Sequence, residues 1–122
     1  MRRGRYDGAR NTESEGSVME KLIRGGNVAV LISPGFGTGW SSSCSSEIAE
    51  ALLFERRIVE AFEEGGWQSA VVKVKEMWPD EYVCVLGAEC LQIEWIPQGE
   101  QFYLHEYDGN EWIVRSDGFH TA

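Results

Sequence analysis

The apolar run Val28-Ala29-Val30-Leu31-Ile32 constrains the fold of this chain more than any other feature. Because the run is continuous and not alternating, it predicts a fully buried strand, here over residues 27–33. The run opens directly into a loop over residues 33–43, in which three alternating glycines stand between Pro34 and Trp40. Such a loop can bring backbone N–H groups and hydroxyls close to a bound group. The loop is therefore the first candidate for a functional site.

The loop matches none of the standard phosphate or nucleophile motifs. It lacks the Gly-Lys-Ser/Thr ending of a P-loop, the G-x-x-G step of a dinucleotide-binding turn and the G-x-S-x-G of a nucleophile elbow. Two interpretations stay open. In the first, the loop is structural and Phe36 and Trp40 fill the core. In the second, the loop binds a small ligand together with two arginines and a hairpin tip, and the ligand-binding residues are Gly35, Phe36, Gly37, Thr38, Gly39, Trp40, Ser41, Arg56, Arg57, Tyr107 and Asp108.

Two short helices are predicted after the loop. Ser45-Ser46-Glu47 supplies an N-cap and a first-turn acid, and the first helix breaks near Phe54. The second helix covers residues 56–64 and ends at Gly65-Gly66.

The next segment, residues 67–78, contains features of both a strand and a helix. Its three valines favour a strand by side-chain type. The spacing of Val71, Val74 and Trp78 on one helical face, and the stop at Pro79, favour a helix. We predict a helix.

From residue 81 the pattern changes to short strands, which we predict over residues 82–86, 90–96, 102–107 and 111–115. Pro97-Gln98-Gly99-Glu100 has the composition of a turn, and Asp108-Gly109 is the strongest hairpin signal in the chain. The four strands predict an antiparallel meander whose buried face holds Trp95, Phe102, Leu104, Trp112 and Val114. The predicted fold class is α+β: a buried N-terminal strand, a Gly-rich loop, two short helices and a four-stranded antiparallel meander.

At 122 residues the chain has the length of one domain. Residues 1–18 are polar, contain several arginines and show no apolar period, so they predict a disordered leader that we interpret as an extension outside the fold. Residues 19–116 form the predicted domain, and residues 117–122 form a short tail.

The charge is unevenly distributed along the chain. The net charge is −9, and after Lys75 only Arg115 is basic, against ten acidic residues. Such a C-terminal half repels nucleic-acid phosphates and favours a basic protein surface as its partner. Solubility alone is the other explanation of this charge.

Cysteine and histidine usage gives no sign of a metal or cofactor. The three cysteines contain no C-x-x-C pair and predict free thiols in a reducing cytoplasm, with Cys84–Cys90 pairing across a hairpin as the alternative. Neither His105 nor His120 stands at ligand spacing to a cysteine. We find no secretory signal and no apolar stretch of membrane-spanning length, and we expect a cytoplasmic protein without cofactor or metal.

Catalysis has little support in the sequence. The candidate nucleophiles are Ser41, Ser42, Ser43 and Cys44. Each needs an activating base, and the one candidate is His105, oriented by Glu106 or Asp108. His105 lies on a predicted strand where outward polar residues are expected. We therefore predict that the protein is not an enzyme, with a small Ser/Cys hydrolase as an alternative.

The chain is rich in tryptophan and tyrosine, with five and four of them. These side chains bury a large area and keep a polar group, so they are favoured at protein interfaces. Together with the acidic residues they predict a protein interface made of Glu94, Glu100, Tyr103, Glu106, Glu111 and Trp112.

Three segments together resemble a family of small phage and prophage proteins. They are VAVLISPGFGTGW at Val28–Trp40, PDEY at Pro79–Tyr82, and the run Ile93–Ile113 with its EWIPxG and EYDGNE motifs. The resemblance covers about residues 27–114 and brings no established activity with it. The chain departs from the pattern at Ser42-Ser43-Cys44, where a Trp and an Asn are expected.

A phage origin implies an accessory protein that counters host immunity. The first hypothesis is a non-catalytic inhibitor that binds a host defence protein, in the manner of an anti-CRISPR protein, through its acidic face. The alternatives are a sponge that binds a small nucleotide signal through the Gly/Ser loop, built as a homo-oligomer, and a phage structural accessory protein.

Overall fold

The computed structural model describes residues 19–35, 39–43, 46–81, 83, 85–115, 118 and 120–122. Its elements in chain order are β1 (Ile23–Arg24), β2 (Asn27–Ile32), a 3₁₀ helix (Ser41–Ser43), α1 (Ser46–Phe54), α2 (Arg56–Met77), a second 3₁₀ helix (Leu86–Cys90), β3 (Gln92–Pro97), β4 (Gln101–Tyr107), β5 (Asn110–Arg115) and β6 (His120–Thr121). The fold class is α+β, as the sequence predicts.

Strand β2 lies at the centre of a three-stranded antiparallel sheet with the order β1-β2-β3. Both of its faces are covered. Ala29 and Leu31 belong to one core cluster with residues of α1 and α2, whereas Val28 and Val30 belong to a second cluster with Phe102 of β4. The strand thus separates two halves of the core, which is the physical reason that its apolar run is continuous.

The helices follow the sequence closely. The break between α1 and α2 falls at Glu55, which caps α2 by accepting a hydrogen bond from the backbone of Arg57. Within α2, Gly66 has non-helical dihedrals (φ 80°, ψ −167°), so the helix is interrupted at the predicted Gly65-Gly66. The helix predicted over residues 67–78 is confirmed to Met77, with Val74 buried.

Strands β4 and β5 form a hairpin in a second antiparallel sheet, with the order β5-β4-β6. Its turn is Asp108-Gly109, and both residues have positive φ (51° and 82°), the backbone of a two-residue type I′ turn. The predicted hairpin is confirmed. Its two-residue turn sets the register in which Leu104 pairs with Ile113 and His105 pairs with Trp112.

The predicted four-stranded meander is wrong in its pairing. Strand β3 pairs with β2 along its whole length and not with β4, so the strands form two sheets. The turn at Pro97–Glu100 carries the chain from one sheet to the other, closed by a hydrogen bond from the Glu100 N–H to the Pro97 carbonyl at 3.0 Å. A buried central strand satisfies its backbone groups only with a partner on each side, and β3 supplies the second partner of β2.

The strand predicted over residues 82–86 is also absent. Val83 and Val85 lie in no strand, Leu86–Cys90 is a 3₁₀ helix, and Tyr82 and Cys84 lie outside the described residues. The segment instead packs on the Gly-rich loop, since the Ser33 hydroxyl donates to the Gly87 carbonyl at 2.7 Å. Cys90 is a free, exposed thiol.

Three of the five residues predicted on the buried face of the meander are exposed. Phe102 is buried and Leu104 packs against the core, but Trp95, Trp112 and Val114 are 37–40% exposed. For Trp112 and Val114 the cause is the hairpin register, in which Phe102 and Leu104 share a face with Ile113 and Glu111. Trp95 lies on β3 in the other sheet, outside the hairpin.

The predicted tail is partly within the fold. β6 pairs with Gln101 and Phe102 of β4, and Ala122 is buried. The predicted leader, residues 1–18, lies outside the described residues. None of the described helices has both the length and the hydrophobicity to cross a membrane.

Candidate functional site

The buried side chain of Glu111 connects the Gly-rich loop to the hairpin. Glu111 lies on β5 and is 0% exposed. Its Oε1 accepts a hydrogen bond from the Ser33 N–H at 3.0 Å. Its Oε2 accepts three, from the Trp40 N–H at 2.6 Å, the Ser42 N–H at 3.1 Å and the Ser42 hydroxyl at 2.5 Å. We call these four donors, from Ser33, Trp40 and Ser42, the carboxylate cradle.

Backbone geometry places these donors. Gly39 has φ +79°, and a Cβ on it would lie 2.7 Å from the Ser42 hydroxyl and 3.2 Å from Glu111 Oε2. Gly87 lies so close to Gly39 that a Cβ there would overlap the Gly39 carbonyl. Glycine is required at both positions, first for the left-handed backbone and then for the close approach.

Trp40 fixes the loop to the core. Its side chain is 0% exposed, and its Nε1–H donates to the Leu52 carbonyl of α1 at 2.9 Å. On the strand side, the Glu111 N–H donates to the Ser33 carbonyl at 2.9 Å. The structural interpretation of Trp40 is therefore confirmed, while Phe36 lies outside the described residues.

The cradle is an anion site satisfied by the chain itself. Among the described residues no lysine or arginine pairs with Glu111, so the charge is stabilised by converging N–H and O–H dipoles alone. Hydrogen bonds to an ionised acceptor are shorter and stronger than neutral ones. Because these donors already hold a carboxylate, they are not free to bind the phosphate of a nucleotide.

The other face of the hairpin presents side chains to solvent. Tyr103, His105 and Tyr107 of β4 alternate with the core-facing residues, and Trp112 and Val114 of β5 lie across from them. The exposed fractions rise from 38% for Val114 to 71% for Tyr107. We call these five residues the aromatic face.

The rings of the aromatic face contact one another. His105 stacks on Trp112 with centroids 5.7 Å apart, and Tyr103 meets His105 edge-on at 6.0 Å. On the reverse side of the hairpin, Leu104 and Ile113 pack against the core. The rings are therefore presented on a supported sheet.

The residues predicted to bind a ligand do not all come together. Gly39, Trp40 and Ser41 lie beside the hairpin turn, where the Gly109 carbonyl is 3.5 Å from the Cβ position of Gly39. Gly35 lies against Cys90 of the second 3₁₀ helix, and Phe36, Gly37 and Thr38 are outside the described residues. Tyr107 flanks the hairpin turn, Asp108 is part of it, and both residues are exposed.

Arg56 and Arg57 lie at the start of α2 and form ion pairs there. Arg56 bonds Glu20 and Glu60 at 3.2 and 3.0 Å, and Arg57 bonds Glu55 at 2.9 Å. The hydrogen bond with Glu60 raises the pKa of Arg56 above its ordinary value.

The residues predicted at a protein interface fall in three places. Tyr103 and Trp112 belong to the aromatic face. Glu106 is exposed beside the turn and accepts from the Gly109 N–H at 2.6 Å, and Glu94 is exposed on β3. The prediction of Glu111 at the interface is wrong, because its carboxylate is fully buried and is not part of an accessible surface.

Glu100, the remaining predicted interface residue, forms a two-point ion pair. Arg115 donates to it through Nε at 2.5 Å and through Nη2 at 3.0 Å. These hydrogen bonds lower the pKa of Glu100. The one basic residue after Lys75 is thus paired within the protein.

The described candidate residues of the hydrolase alternative are not brought together, and Cys44, another candidate nucleophile, lies outside the described residues. His105 stacks on Trp112 on the outer face of the hairpin, whereas Ser42 donates to Glu111 on the inner side. The Ser41 hydroxyl is buried and has no hydrogen-bond partner. A serine nucleophile needs a base within reach. No group of three or more His, Cys, Asp or Glu among the described residues could hold a metal ion.

Two cavities lie away from the cradle and the aromatic face. One of about 410 Å³ is lined by residues that include Met19, Glu50 and Trp78. One of about 390 Å³ is lined by residues that include Trp78, Pro79 and Val85. Neither includes a residue of the Gly-rich loop or of the hairpin.

Comparisons with protein-family models, with curated proteins and with solved structures find no match for this chain.

Proposed function

We propose that this protein is a non-catalytic, phage-type accessory protein that binds and inhibits a host defence protein, and that the aromatic face is its binding surface. The observation that carries the proposal is the group of contacting, exposed rings on one side of the β4–β5 hairpin. Tyrosine and tryptophan dominate protein interfaces because they bury a large area at low cost in side-chain entropy.

The support behind the aromatic face favours binding without rearrangement. The hairpin is joined to the Gly-rich loop through Glu111 and to the core through Leu104 and Ile113. A surface that is already ordered loses little conformational entropy when a partner binds, so more of the contact energy appears as affinity.

Charge indicates the chemistry of the partner. After Lys75 the chain has ten acidic residues against Arg115, and Arg115 is paired with Glu100. This charge disfavours nucleic acid and favours a basic protein surface, such as the one on which a defence protein holds its own nucleic acid. The cytoplasm of an infected or lysogenic bacterium is where such a partner is met.

The test combines a biological and a binding measurement. Phage plating is measured on bacteria that carry defined defence systems, with and without the protein. The defence system that the protein inhibits is then purified for a binding titration. We expect the double variant Tyr103→Ser/Trp112→Ser to lose roughly 100-fold in affinity, since two interface hot spots are removed.

Val72→Ser is the matched control. Val72 is 55% exposed on α2, so the substitution also removes an exposed apolar side chain, but away from the hairpin. It should leave plating and affinity unchanged. If the wild-type protein has no effect on any defence system, the proposed inhibition is wrong. If the double variant is as active as the wild type, the aromatic face is not the binding surface.

A further inference from the structure

We propose that the carboxylate cradle is an intrinsic binding site for a small carboxylate, occupied in cis by Glu111, and that it takes up free formate or acetate when the Glu111 side chain is shortened. The proposal does not depend on the aromatic face or on any partner. It concerns what the Gly-rich loop binds.

The arrangement of donors selects a carboxylate over a phosphate. Three donors converge on Oε2 and one on Oε1, which matches the two oxygens of a planar carboxylate. A phosphate has further oxygens, and phosphate sites in proteins usually supply arginine or lysine for them. No such cation contacts Glu111 among the described residues.

The donors are held by contacts that do not involve Glu111. The Trp40 ring is fixed by its bond to the Leu52 carbonyl, and the Ser33 hydroxyl by its bond to the Gly87 carbonyl. We expect these contacts to persist when the carboxylate is removed. The emptied cradle then has donors whose Glu111 acceptor is gone, among them the buried Ser33 N–H, and a buried donor without an acceptor is costly unless an anion returns to it.

The Ser41 hydroxyl, between Trp40 and Ser42 in the chain, is the one described buried side-chain polar atom without a hydrogen-bond partner. Buried hydroxyls normally find a partner. This hydroxyl is therefore a further donor of the Gly-rich loop that Glu111 does not use.

The size of the space left by Glu111→Ala predicts the order of affinity among small carboxylates. The substitution removes one methylene and the carboxylate, a group of the same heavy-atom composition as acetate, but a free ligand must stay at van der Waals distance from the remaining Cβ. Formate, without a methyl group, should therefore bind best, acetate should bind less well, and propionate should not bind.

The experiment measures the thermal midpoint of Glu111→Ala in sodium formate, acetate and propionate, each against sodium chloride at equal ionic strength. A ligand that binds only the folded state raises the midpoint by mass action. We expect about 4 °C or more in 0.2 M formate, the shift that about 1 kcal/mol of binding gives in a domain of this size. The wild type should shift by less than about 1 °C, since its cradle is filled.

Two controls separate a cradle from a general effect of salts. Acetamide has the shape of acetate without its charge and should give no shift. The double variant Glu111→Ala/Ser42→Ala lacks the shortest donor and should respond to formate at least fivefold less strongly than the single variant. A formate response equal in wild type and Glu111→Ala, or equal with and without the Ser42 hydroxyl, would overturn the proposal.

The proposal stays testable if Glu111→Ala does not fold at room temperature. Formate should then restore the folded circular-dichroism signal, and its failure to do so would also overturn the proposal. Glu111→Gln, which fills the cradle with a neutral amide, should fold and show no response to formate, and a response of that variant would count against the site.

Discussion

Among the residues that the structure describes, two glutamates are buried, and they are stabilised in different ways. Glu55, between α1 and α2, is 1% exposed and contacts the arginine two residues further on. Glu111 is 0% exposed, and its described partners are hydrogen-bond donors without a formal charge. Arg57 extends to the surface, with its side chain 42% exposed, whereas each described donor to Glu111 is a backbone N–H or a serine hydroxyl.

The difference lies in what each carboxylate holds together. Glu55 caps α2 and accepts local hydrogen bonds from the backbone and the side chain of Arg57, whereas its bond from the Glu20 N–H at 3.3 Å spans 35 residues. Glu111 joins residues 69 to 78 positions away. A local ion pair near the surface organises one helix end, whereas a buried carboxylate with distant donors organises the loop and the hairpin together.

The largest effect is expected for Glu111→Ala. Removing the carboxylate takes the Glu111 acceptor away from the buried N–H groups of Ser33 and Trp40 and from the N–H and hydroxyl of the exposed Ser42, which should lower the free energy of unfolding by about 3–5 kcal/mol. Urea denaturation followed by circular dichroism measures it. A loss no larger than that of Glu55→Ala would reverse the comparison.

The next effect tests the crowding around Glu111. Gly39→Ala should cost about 2–3 kcal/mol, because it places a methyl group against Ser42 and Glu111 in addition to the left-handed backbone. Gly26→Ala is the matched control, since Gly26 has φ +80° against +79° and nothing within 4 Å of its Cβ position. The free energy of unfolding of Gly26→Ala should fall by only about 1 kcal/mol. Equal losses would mean that the cradle tolerates the methyl group.

A smaller effect is expected for Glu55→Ala. It removes an N-cap and an ion pair, and Arg57 can hydrate once released, so we expect a loss of about 1–2 kcal/mol. The loss should shrink between 0.05 and about 1 M NaCl because part of it is screened, whereas the Glu111→Ala loss should not. A salt dependence shared by both variants would remove the distinction between the two sites.

The smallest effect concerns Glu100, whose partly exposed carboxylate serves as the reference. Its pKa is lowered in the folded protein by hydrogen bonds from Arg115. A lowered folded pKa contributes stability above the ordinary value of 4.5, and this contribution is lost as the pH falls through the lowered pKa. The midpoint difference between wild type and Glu100→Gln, measured by calorimetry, should therefore be present at pH 7 and disappear in strong acid. A difference that grows in acid would contradict the sign.

Much of the fold could be predicted because its signals are local. The continuous apolar run identified β2 as a strand buried on both faces, the Gly65-Gly66 pair located the interruption of α2, and Asp108-Gly109 located the hairpin. The pairing of β3 with β2 could not be predicted, because strand partners are chosen by packing between distant segments.

The burial of Glu111 could have been predicted from the sequence but was not. A two-residue turn at Asp108-Gly109 pairs Glu106 with Glu111 and Leu104 with Ile113, which places Glu111 on the core-facing side of the hairpin. The assignment of Trp112 to the buried face ignored that register. What no pattern shows is that the Gly-rich loop lies opposite, since this depends on the meeting of residues far apart in the chain.

The separation between Glu111 and its donors has a consequence for synthesis. The ribosome delivers Ser33, Trp40 and Ser42 first, and the acceptor follows 69 to 78 residues later. Until then water must solvate these N–H groups, and contacts of such long range are slow to form. A nascent chain that stalls before residue 111 contains every donor of the loop and no acceptor. Completion of the loop and the hairpin is thereby tied to the synthesis of residue 111.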